Sequence, residues 1–198
     1  NYKKIKYLLI PNIWNNNFIK EKKQINNKNY LLWVGNFSNR KRPDWFMQLA
    51  KENENKKFVM VGGPGSLMLF NQCKINSQKI KNLIFHGPQK FSHTNSLFLG
   101  AKIFYCTSES EGFPNTFLQA WSNNIPVISS FDPSDIIKKN NLGIVVTCQE
   151  DMRNATKNLL TNSETYIRIQ NNIKSYFSKV HDSESAFKKL ITFHNLNS

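Results

Sequence analysis

The sequence is poor in cysteine, which argues against disulfide-rich and zinc-binding proteins. It is also poor in acidic residues, which leaves a strongly basic chain. The 198 residues include three cysteines, Cys73, Cys106 and Cys148, without the close pairing that a disulfide framework or a zinc site needs. Cys106 lies in an apolar run and is expected to be a buried core thiol. Lys and Arg number 27 against 13 Asp and Glu, which gives a formal net charge of +14. That excess favours anionic partners such as nucleic acid, anionic lipid head groups or phosphorylated small molecules.

The sequence also lacks the patterns that are typical of nucleic-acid-binding, membrane-spanning, secreted and metal-binding proteins. The lysines are scattered, as compositional bias would also leave them, and no basic stripe with interleaved aromatics predicts specific nucleic acid binding. No apolar run approaches the roughly 20 residues that span a bilayer, and no signal peptide pattern is present. No spacing of His, Cys or acidic residues predicts a metal site. We therefore expect a cytoplasmic protein, compatible with a peripheral position on an anionic membrane, and, since it lacks an initiator Met, a piece of a longer chain.

The chain alternates short apolar runs with longer amphipathic stretches. Apolar runs predict six strands, at residues 30–34, 58–61, 83–85, 102–106, 126–129 and 143–147. Amphipathic stretches predict helices at residues 43–53, 67–79, 94–99 and 116–122 and over most of 151–196, with Asp151, Ser163 and Asp182 as N-caps. Strands that are apolar on both faces and separated by helices indicate a doubly wound α/β domain with a parallel sheet. We place this domain at residues 28–162, after a hinge or linker at 1–27 and before C-terminal helices at 163–198.

The loop at residues 108–115 carries the richest chemistry. In doubly wound sheets, ligands bind beyond the carboxyl ends of the strands, and this loop follows the fourth predicted strand. Gly112 and Phe113 precede Pro114, which suits the first turn of a helix, and Asn115 follows it. Free N–H groups at such a helix start form a phosphate site. Glu111 lies just outside that end, where it can accept hydrogen bonds from sugar hydroxyls or, alternatively, cap the helix.

Gln119 follows Glu111 on the same predicted helix, one or two turns further along. That position predicts a side chain on the wall of the cleft. The alternative from spacing alone is a solvated helix residue.

The loop at residues 35–44 is the most basic of the strand-end loops. Gly35 closes the first predicted strand, and Arg40, Lys41 and Arg42 precede the next helix. Three consecutive cations in this place suit a diphosphate, which Arg contacts with a bidentate fork and Lys with a compact charge. The alternative is a solvated basic loop.

Two further loops lie at the same predicted edge. The glycine-rich turn at residues 62–65, which includes Gly63, lacks the spacing of a known phosphate cradle. The loop at residues 86–91 contains Pro88 and Lys90, and its backbone can read the edge of a nucleobase. His86 at the end of an apolar strand favours a structural role over a catalytic one.

Several of these segments resemble the donor domain of retaining family 4 glycosyltransferases. Residues 108–129, SESEGFPNTFLQAWSNNIPVIS, resemble the donor-site signature, in which a Glu is followed by seven residues and a second Glu. Four other segments resemble parts of the same family's donor domain. They are the first strand with its basic loop (WVGNFSNRKRPDWFMQLA), the second strand (FVMVGGPG), the base-binding loop with the helix and strand that follow it (IFHGPQKFSHTNSLFLGAKIFYCTS) and the hinge (YLLIPNIW). The segments occur in the family's order between about residues 5 and 180.

The resemblance implies a Rossmann-like domain that forms one half of a GT-B fold. It implies that Glu111 contacts the transferred sugar and that Lys41 neutralises the diphosphate leaving group. It also implies that Gly112 and Phe113 offer backbone amides and that position 119 binds the ribose. The second Glu of the signature is Gln119 here, and the Arg that often follows the loop glycine is Asn36, so Arg40 or Arg42 would supply that charge.

The implied reaction is retaining transfer of a sugar from a nucleoside diphosphate to an acceptor hydroxyl, as in polysaccharide or glycolipid synthesis. The donor is a substrate, and no cofactor or metal is implied. The partner is the N-terminal acceptor-binding domain, which is absent from this sequence, so the chain alone is expected to be inactive. The alternatives are a non-catalytic relative that binds a sugar nucleotide and a basic α/β module that binds nucleic acid.

Overall fold

The structure is a computed structural model that describes residue 8 and residues 12–14, 28–181 and 183–195. Most of the predicted hinge or linker at residues 1–27 lies outside these residues, as does the N-cap predicted at Asp182. The fold described below rests on the continuous segment that begins at Lys28.

A six-stranded parallel sheet forms the centre of the domain, as predicted. Its strands in chain order are β1 (Tyr30–Val34), β2 (Lys57–Val61), β3 (Leu83–Phe85), β4 (Ala101–Cys106), β5 (Val127–Ser129) and β6 (Gly143–Val145). The strand order is β3-β2-β1-β4-β5-β6, and every pairing is parallel. The order changes direction between β1 and β4, which places a crevice at their carboxyl ends.

Helices cover both faces of the sheet. They are α1 (Pro43–Glu52), α2 (Leu67–Ser77), α3 (Phe91–Leu99), α4 (Asn115–Ser122), α5 (Ile136–Asn140), α6 (Gln149–Thr161), α7 (Ser163–Val180) and α8 (Ser183–Asn195). The sequence did not predict α5, a single turn whose preceding residues Ser134 and Asp135 have positive φ angles of 56° and 57°. Short 3₁₀ turns precede α1 and α5, at Asn39–Lys41 and Pro133–Asp135.

The buried apolar runs explain the architecture. Leu31, Leu32 and Trp33 are consecutive in β1 and at most 2% exposed, so both faces of this strand are covered. Between the sheet and α1, Phe46 packs on Phe58 and Tyr105, with ring centroids 5.3 and 5.1 Å apart. The domain is therefore a Rossmann-like α/β fold with one continuous core.

The C-terminal helices continue directly from the sheet. α7 buries Ile169, Ile173 and Phe177 and contacts α4, α5, α6 and α8. Two N-caps differ from the prediction: α6 begins after Cys148 and α7 after Asn162. Asp151 lies three residues into α6, where its carboxylate accepts hydrogen bonds from the amide and hydroxyl of Thr147. In the part of the chain that the structure describes, no helix is long and apolar enough to cross a membrane.

Candidate functional site

Two predicted catalytic residues meet at the crevice between β1 and β4. Lys41 lies in the β1–α1 loop (residues 35–42), and Glu111 lies in the β4–α4 loop (residues 107–114). The Lys41 ammonium donates a hydrogen bond to Oε1 of Glu111 and forms an ion pair with it. The hydroxyl of Ser108 donates to the same oxygen. The Lys41 and Glu111 side chains are 18% and 14% exposed, so the pair is largely shielded from bulk water.

Hydrogen bonds join the two loops beneath this ion pair. The buried hydroxyl of Thr107 donates to the carbonyl of Lys41 at 2.6 Å and accepts from the indole N–H of Trp33 at 2.9 Å. The amide of Glu109 donates to the carbonyl of Arg40 at 2.9 Å. The backbones that carry Lys41 and Glu111 are thus held at a fixed separation.

Arg42 connects its own β1–α1 loop to the segments that follow β4 and β5. Its backbone is left-handed, with φ 42°, and its guanidinium lies 4.1 Å from the centre of the Trp45 ring. Its Nε donates to the carbonyl of Thr107 and its Nη2 donates to the hydroxyl of Ser130, each at 2.9 Å. These contacts give Arg42 a positioning role in the loop. Its predicted contact with the donor stays a prediction. Ser130, which follows β5, escaped the sequence analysis because an isolated serine after a strand carries no motif.

The start of α4 fits an anion. Pro114 is the N-cap rather than part of the first turn, and Asn115 is the first helical residue. Among the described residues, no side chain caps this first turn. A turn without a side-chain cap keeps backbone N–H groups for a ligand, where the helix dipole also favours negative charge. Glu111 bonds to Lys41 and Ser108 instead, so the capping alternative for Glu111 is wrong.

Gly112 and Phe113 face opposite environments. A Cβ atom built on Gly112 would meet no described atom within 4 Å, so this exposed glycine borders open space beside Glu111. The Phe113 ring packs inward, 5.5 Å from His181 and 6.2 Å from Trp121. The inward ring anchors the loop, while its glycine leaves the crevice side unobstructed.

The two loops that follow β2 and β3 lie at the same edge of the sheet. Gly62 donates to the carbonyl of Gly87, and a Cβ atom on it would stand 1.6 Å from the carbonyl oxygen of Gly35. A Cβ atom on Gly63 would lie 3.6 Å from that of Pro88. Gly35, Gly63 and Pro88 therefore lie along one rim. Lys90 is exposed at the start of α3, next to this rim.

Gln119 is buried rather than solvated. It is 5% exposed, so the alternative of a solvated helix residue is wrong. Its backbone carbonyl accepts from Ser122 and Asn123. Among the described residues, the hydrogen bonds found for Gln119 involve this carbonyl and not its side-chain amide. That amide is available to a ligand that reaches the α4 wall.

Cys106 at the end of β4 and His86 after β3 are further ionisable residues with shifted pKa values. Cys106 is buried, as predicted, and its Sγ lies 4.0 Å from Oε1 of Glu111; burial raises the pKa of this thiol. His86 lies 5.9 Å from His93 between ring centroids, and its pKa is lowered chiefly by burial and then by His93 and Lys57.

Among residues 28–181 and 183–195, no group of three or more His, Cys, Asp or Glu side chains is arranged to hold a metal ion.

His181 is a buried residue for which the sequence predicted no role beyond the lack of metal-ligand spacing. Its Nδ1 donates to the carbonyl of Asn12 at 2.7 Å, and its own carbonyl accepts from the amide of Trp14. It also packs against Phe113, which follows Gly112 in the β4–α4 loop. This contact joins the entering segment at residues 12–14 to the loop of Glu111. No local pattern marks it, because it depends on residues about 170 apart in the chain.

Comparison with known proteins identifies related sequences and folds. A model of the family described as glycosyl transferases group 1 matches residues 15–176. The chain matches no curated protein sequence. Its structure is similar to that of Anabaena HepE in complex with UDP, with a TM-score of 0.71 and 12% identity over 85% of this chain and 49% of that one.

Two further solved structures share the fold. WaaG, a glycosyltransferase involved in lipopolysaccharide biosynthesis, has a TM-score of 0.67 and 18% identity, over 85% of this chain and 50% of WaaG. Sucrose-phosphate synthase from Thermosynechococcus elongatus has a TM-score of 0.69 and 16% identity, over 93% of this chain and 49% of that enzyme. The chain therefore spans about half the length of these proteins, and at such identities the likeness establishes the fold.

Proposed function

The chain belongs to the glycosyl transferases group 1 family, and we propose that it is the donor-binding half of a retaining hexosyltransferase. It binds a nucleoside-diphosphate sugar, and an N-terminal domain that is absent from this sequence binds the acceptor hydroxyl. The observation that carries the proposal is the meeting of Lys41 and Glu111 at the β1/β4 crevice. In the sugar–phosphate bond that breaks, the Lys41 ammonium suits the diphosphate end and the Glu111 carboxylate suits the sugar end.

Lys41 and the start of α4 are assigned to the diphosphate. As the sugar–phosphate bond breaks, negative charge grows on the leaving diphosphate, and preorganised cations and N–H groups stabilise it. Lys41 supplies the ammonium, and Gly112, Phe113 and the first turn of α4 supply amides. Arg40, which is exposed on the same loop, adds positive charge, while Arg42 holds the loop in place.

Glu111 and Gln119 are assigned to hydroxyl groups of the donor. The Glu111 carboxylate is an acceptor for the hydroxyls of the transferred sugar, and the Gln119 amide both donates to and accepts from the ribose diol. Pro88 and Lys90 on the β3–α3 loop are assigned to the base. UDP is the first donor diphosphate to test, since the solved structure of HepE with a similar fold contains UDP.

The acceptor side of the reaction lies with the facing domain. Proximity and orientation of the acceptor come from that domain, so this chain alone is expected to bind donor and to transfer little or nothing. The sugar nucleotide is a substrate, and the proposal includes no resident cofactor. Exposed Phe187, Leu190 and Ile191 on α8 offer a surface to the missing domain, and the +14 net charge suits work on acceptors at an anionic membrane.

Isothermal titration calorimetry with UDP, GDP and ADP tests the proposal. We expect one of the three to bind the chain and a Lys41→Met variant to bind it at least about tenfold more weakly, because a charge-assisted contact is lost. Lys51→Met, on the exposed end of α1, is the matched control and should bind as the wild type does. No binding to any of the three nucleotides would overturn the assignment.

A further inference from the structure

We propose that Glu111 makes the site select the sugar-loaded donor over the free nucleoside diphosphate, because its carboxylate competes with the diphosphate for Lys41. The inference rests on the proposed function and adds a specificity role to the same site. It starts from the ion pair itself: the Lys41 ammonium, which we assign to the diphosphate, already has a carboxylate partner.

The environment of the pair makes this competition strong. The carboxylate of Glu111 is held by Lys41 and by the hydroxyl of Ser108, and Cys106 and the protein interior lie behind it. Side chains that are 18% and 14% exposed are screened less by water and salt than a surface pair is. Whatever binds Lys41 must therefore share it with a poorly screened negative charge or displace that charge.

The loops cannot relieve the competition by moving apart. The bond from the Thr107 hydroxyl to the Lys41 carbonyl measures 2.6 Å, and the bond from the Glu109 amide to the Arg40 carbonyl measures 2.9 Å. Arg42 adds a third connection through the Thr107 carbonyl. Rearrangement is thus confined to the ends of the Lys41 and Glu111 side chains.

A free nucleoside diphosphate and a sugar nucleotide differ in the hydrogen-bond donors that they bring to the Glu111 carboxylate. A free nucleoside diphosphate takes the ammonium and leaves the carboxylate facing phosphate charge, which is unfavourable. A donor with its sugar brings hydroxyl groups that replace Lys41 and Ser108 as hydrogen-bond donors to the carboxylate. Glu111 therefore weakens the binding of the leaving diphosphate but not that of the donor, and this difference favours product release after transfer.

Calorimetric titration of the chain with UDP and with UDP-glucose tests the inference. We expect Glu111→Gln to bind UDP about three- to tenfold more tightly than the wild type, as removal of a partly buried competing charge predicts. The same variant should lose the preference for UDP-glucose over UDP. Glu109→Gln is the matched control, because it removes the same charge from an exposed side chain of the same loop, and it should change UDP affinity less than about twofold.

A double-mutant cycle separates competition from general charge. Lys41→Met should weaken UDP binding more in the Glu111→Gln background than in the wild type, because only there is the ammonium fully available to phosphate. Circular dichroism and thermal unfolding confirm that each variant folds. If Glu111→Gln does not fold, Glu111→Ala serves for the same comparison.

The outcomes distinguish the inference from the function on which it rests. If the wild type binds UDP and both Glu111 variants bind it equally or more weakly, the competition is overturned and the donor site stands. If Glu109→Gln tightens UDP binding as much as Glu111→Gln does, the specific role of Glu111 is also overturned. If no protein in the series binds UDP, GDP or ADP, the proposed function falls and the inference falls with it.

Discussion

The hydroxyl of Thr107 donates a 2.6 Å hydrogen bond to the backbone carbonyl of Lys41. This bond connects the end of β4 with the loop that follows β1, across the point where the strand order reverses. The same hydroxyl accepts from the buried indole of Trp33. Thr107 is therefore the junction on which the relative position of Lys41 and Glu111 depends.

Replacing Thr107 by Val should destabilise the fold and weaken donor binding together. The variant keeps the shape but leaves the Trp33 N–H and the Lys41 carbonyl without their partner, at a cost of about 1–3 kcal/mol in the free energy of unfolding. Urea denaturation measures the stability and calorimetry with UDP measures the affinity. Thr161→Val, which removes an exposed hydroxyl bond within α6, should stay within about 0.5 kcal/mol of the wild type. Equal stability of the two variants would contradict the junction role.

Gly112, in the β4–α4 loop, and Gly62, which follows β2, should respond in opposite ways to Ala. Gly112→Ala should leave the free energy of unfolding within about 0.5 kcal/mol and weaken UDP-glucose binding, because its Cβ atom enters open space that we assign to the donor. Gly62→Ala should unfold the chain or strongly destabilise it, since its Cβ atom would stand 1.6 Å from the Gly35 carbonyl oxygen. Thermal unfolding and calorimetry provide both readouts. Unchanged donor affinity in Gly112→Ala would remove Gly112 from the site.

Gln119 tests whether the α4 wall binds the ribose. Gln119→Glu should tighten UDP binding, because a carboxylate forms charge-assisted hydrogen bonds with hydroxyls, and should lower stability by about 1–3 kcal/mol, because the side chain is only 5% exposed. Gln119→Leu should weaken binding without that loss of stability. If neither variant changes UDP affinity, Gln119 lies outside the donor site.

His181 should make stability depend on pH. Burial is the main cause that lowers its pKa; the hydrogen bond to the Asn12 carbonyl raises it, and Lys189 lowers it further. The unfolded chain then binds a proton at His181 more tightly than the folded chain does. The free energy of unfolding should therefore fall as the pH drops below about 6.5. Urea denaturation between pH 7.5 and 5 measures the slope.

His181→Asn is the informative variant, because an amide can still donate to Asn12 but does not titrate. It should flatten the slope more than His86→Asn does, although the pKa of His86 is lowered in the same direction, since His86 is the more exposed of the two. An unchanged slope in His181→Asn would show that other groups govern the acid response.

The sheet could be predicted because its information is local. Each buried strand is a short apolar run ended by a turn or a helix start, and the runs at residues 30–34 and 83–85 match β1 and β3 to the residue. The neighbouring helices followed from amphipathic spacing. α5 could not be predicted in this way, because a five-residue helix that follows two left-handed residues has no periodicity to detect.

The site was predictable in its parts but not in its connections. The loops that carry Lys41 and Glu111 were found because each follows a strand that ends at the same edge of the sheet, and the family resemblance singled out these two residues within them. Their ion pair, the bracing of Arg42 on Ser130 and the packing of His181 on Phe113 join residues far apart in the chain. Such contacts depend on the register of the sheet and on helix packing, which no single segment encodes.

A crystal structure of the chain with UDP is the decisive measurement for the donor site. We expect the diphosphate at the carboxyl ends of β1 and β4, with Lys41 Nζ within hydrogen-bond distance of a phosphate oxygen and the first turn of α4 facing it. We also expect the Lys41–Glu111 contact to lengthen. UDP bound away from this crevice, or at it with the Lys41–Glu111 pair intact and no phosphate contact to Lys41, would show that Lys41 does not bind the diphosphate.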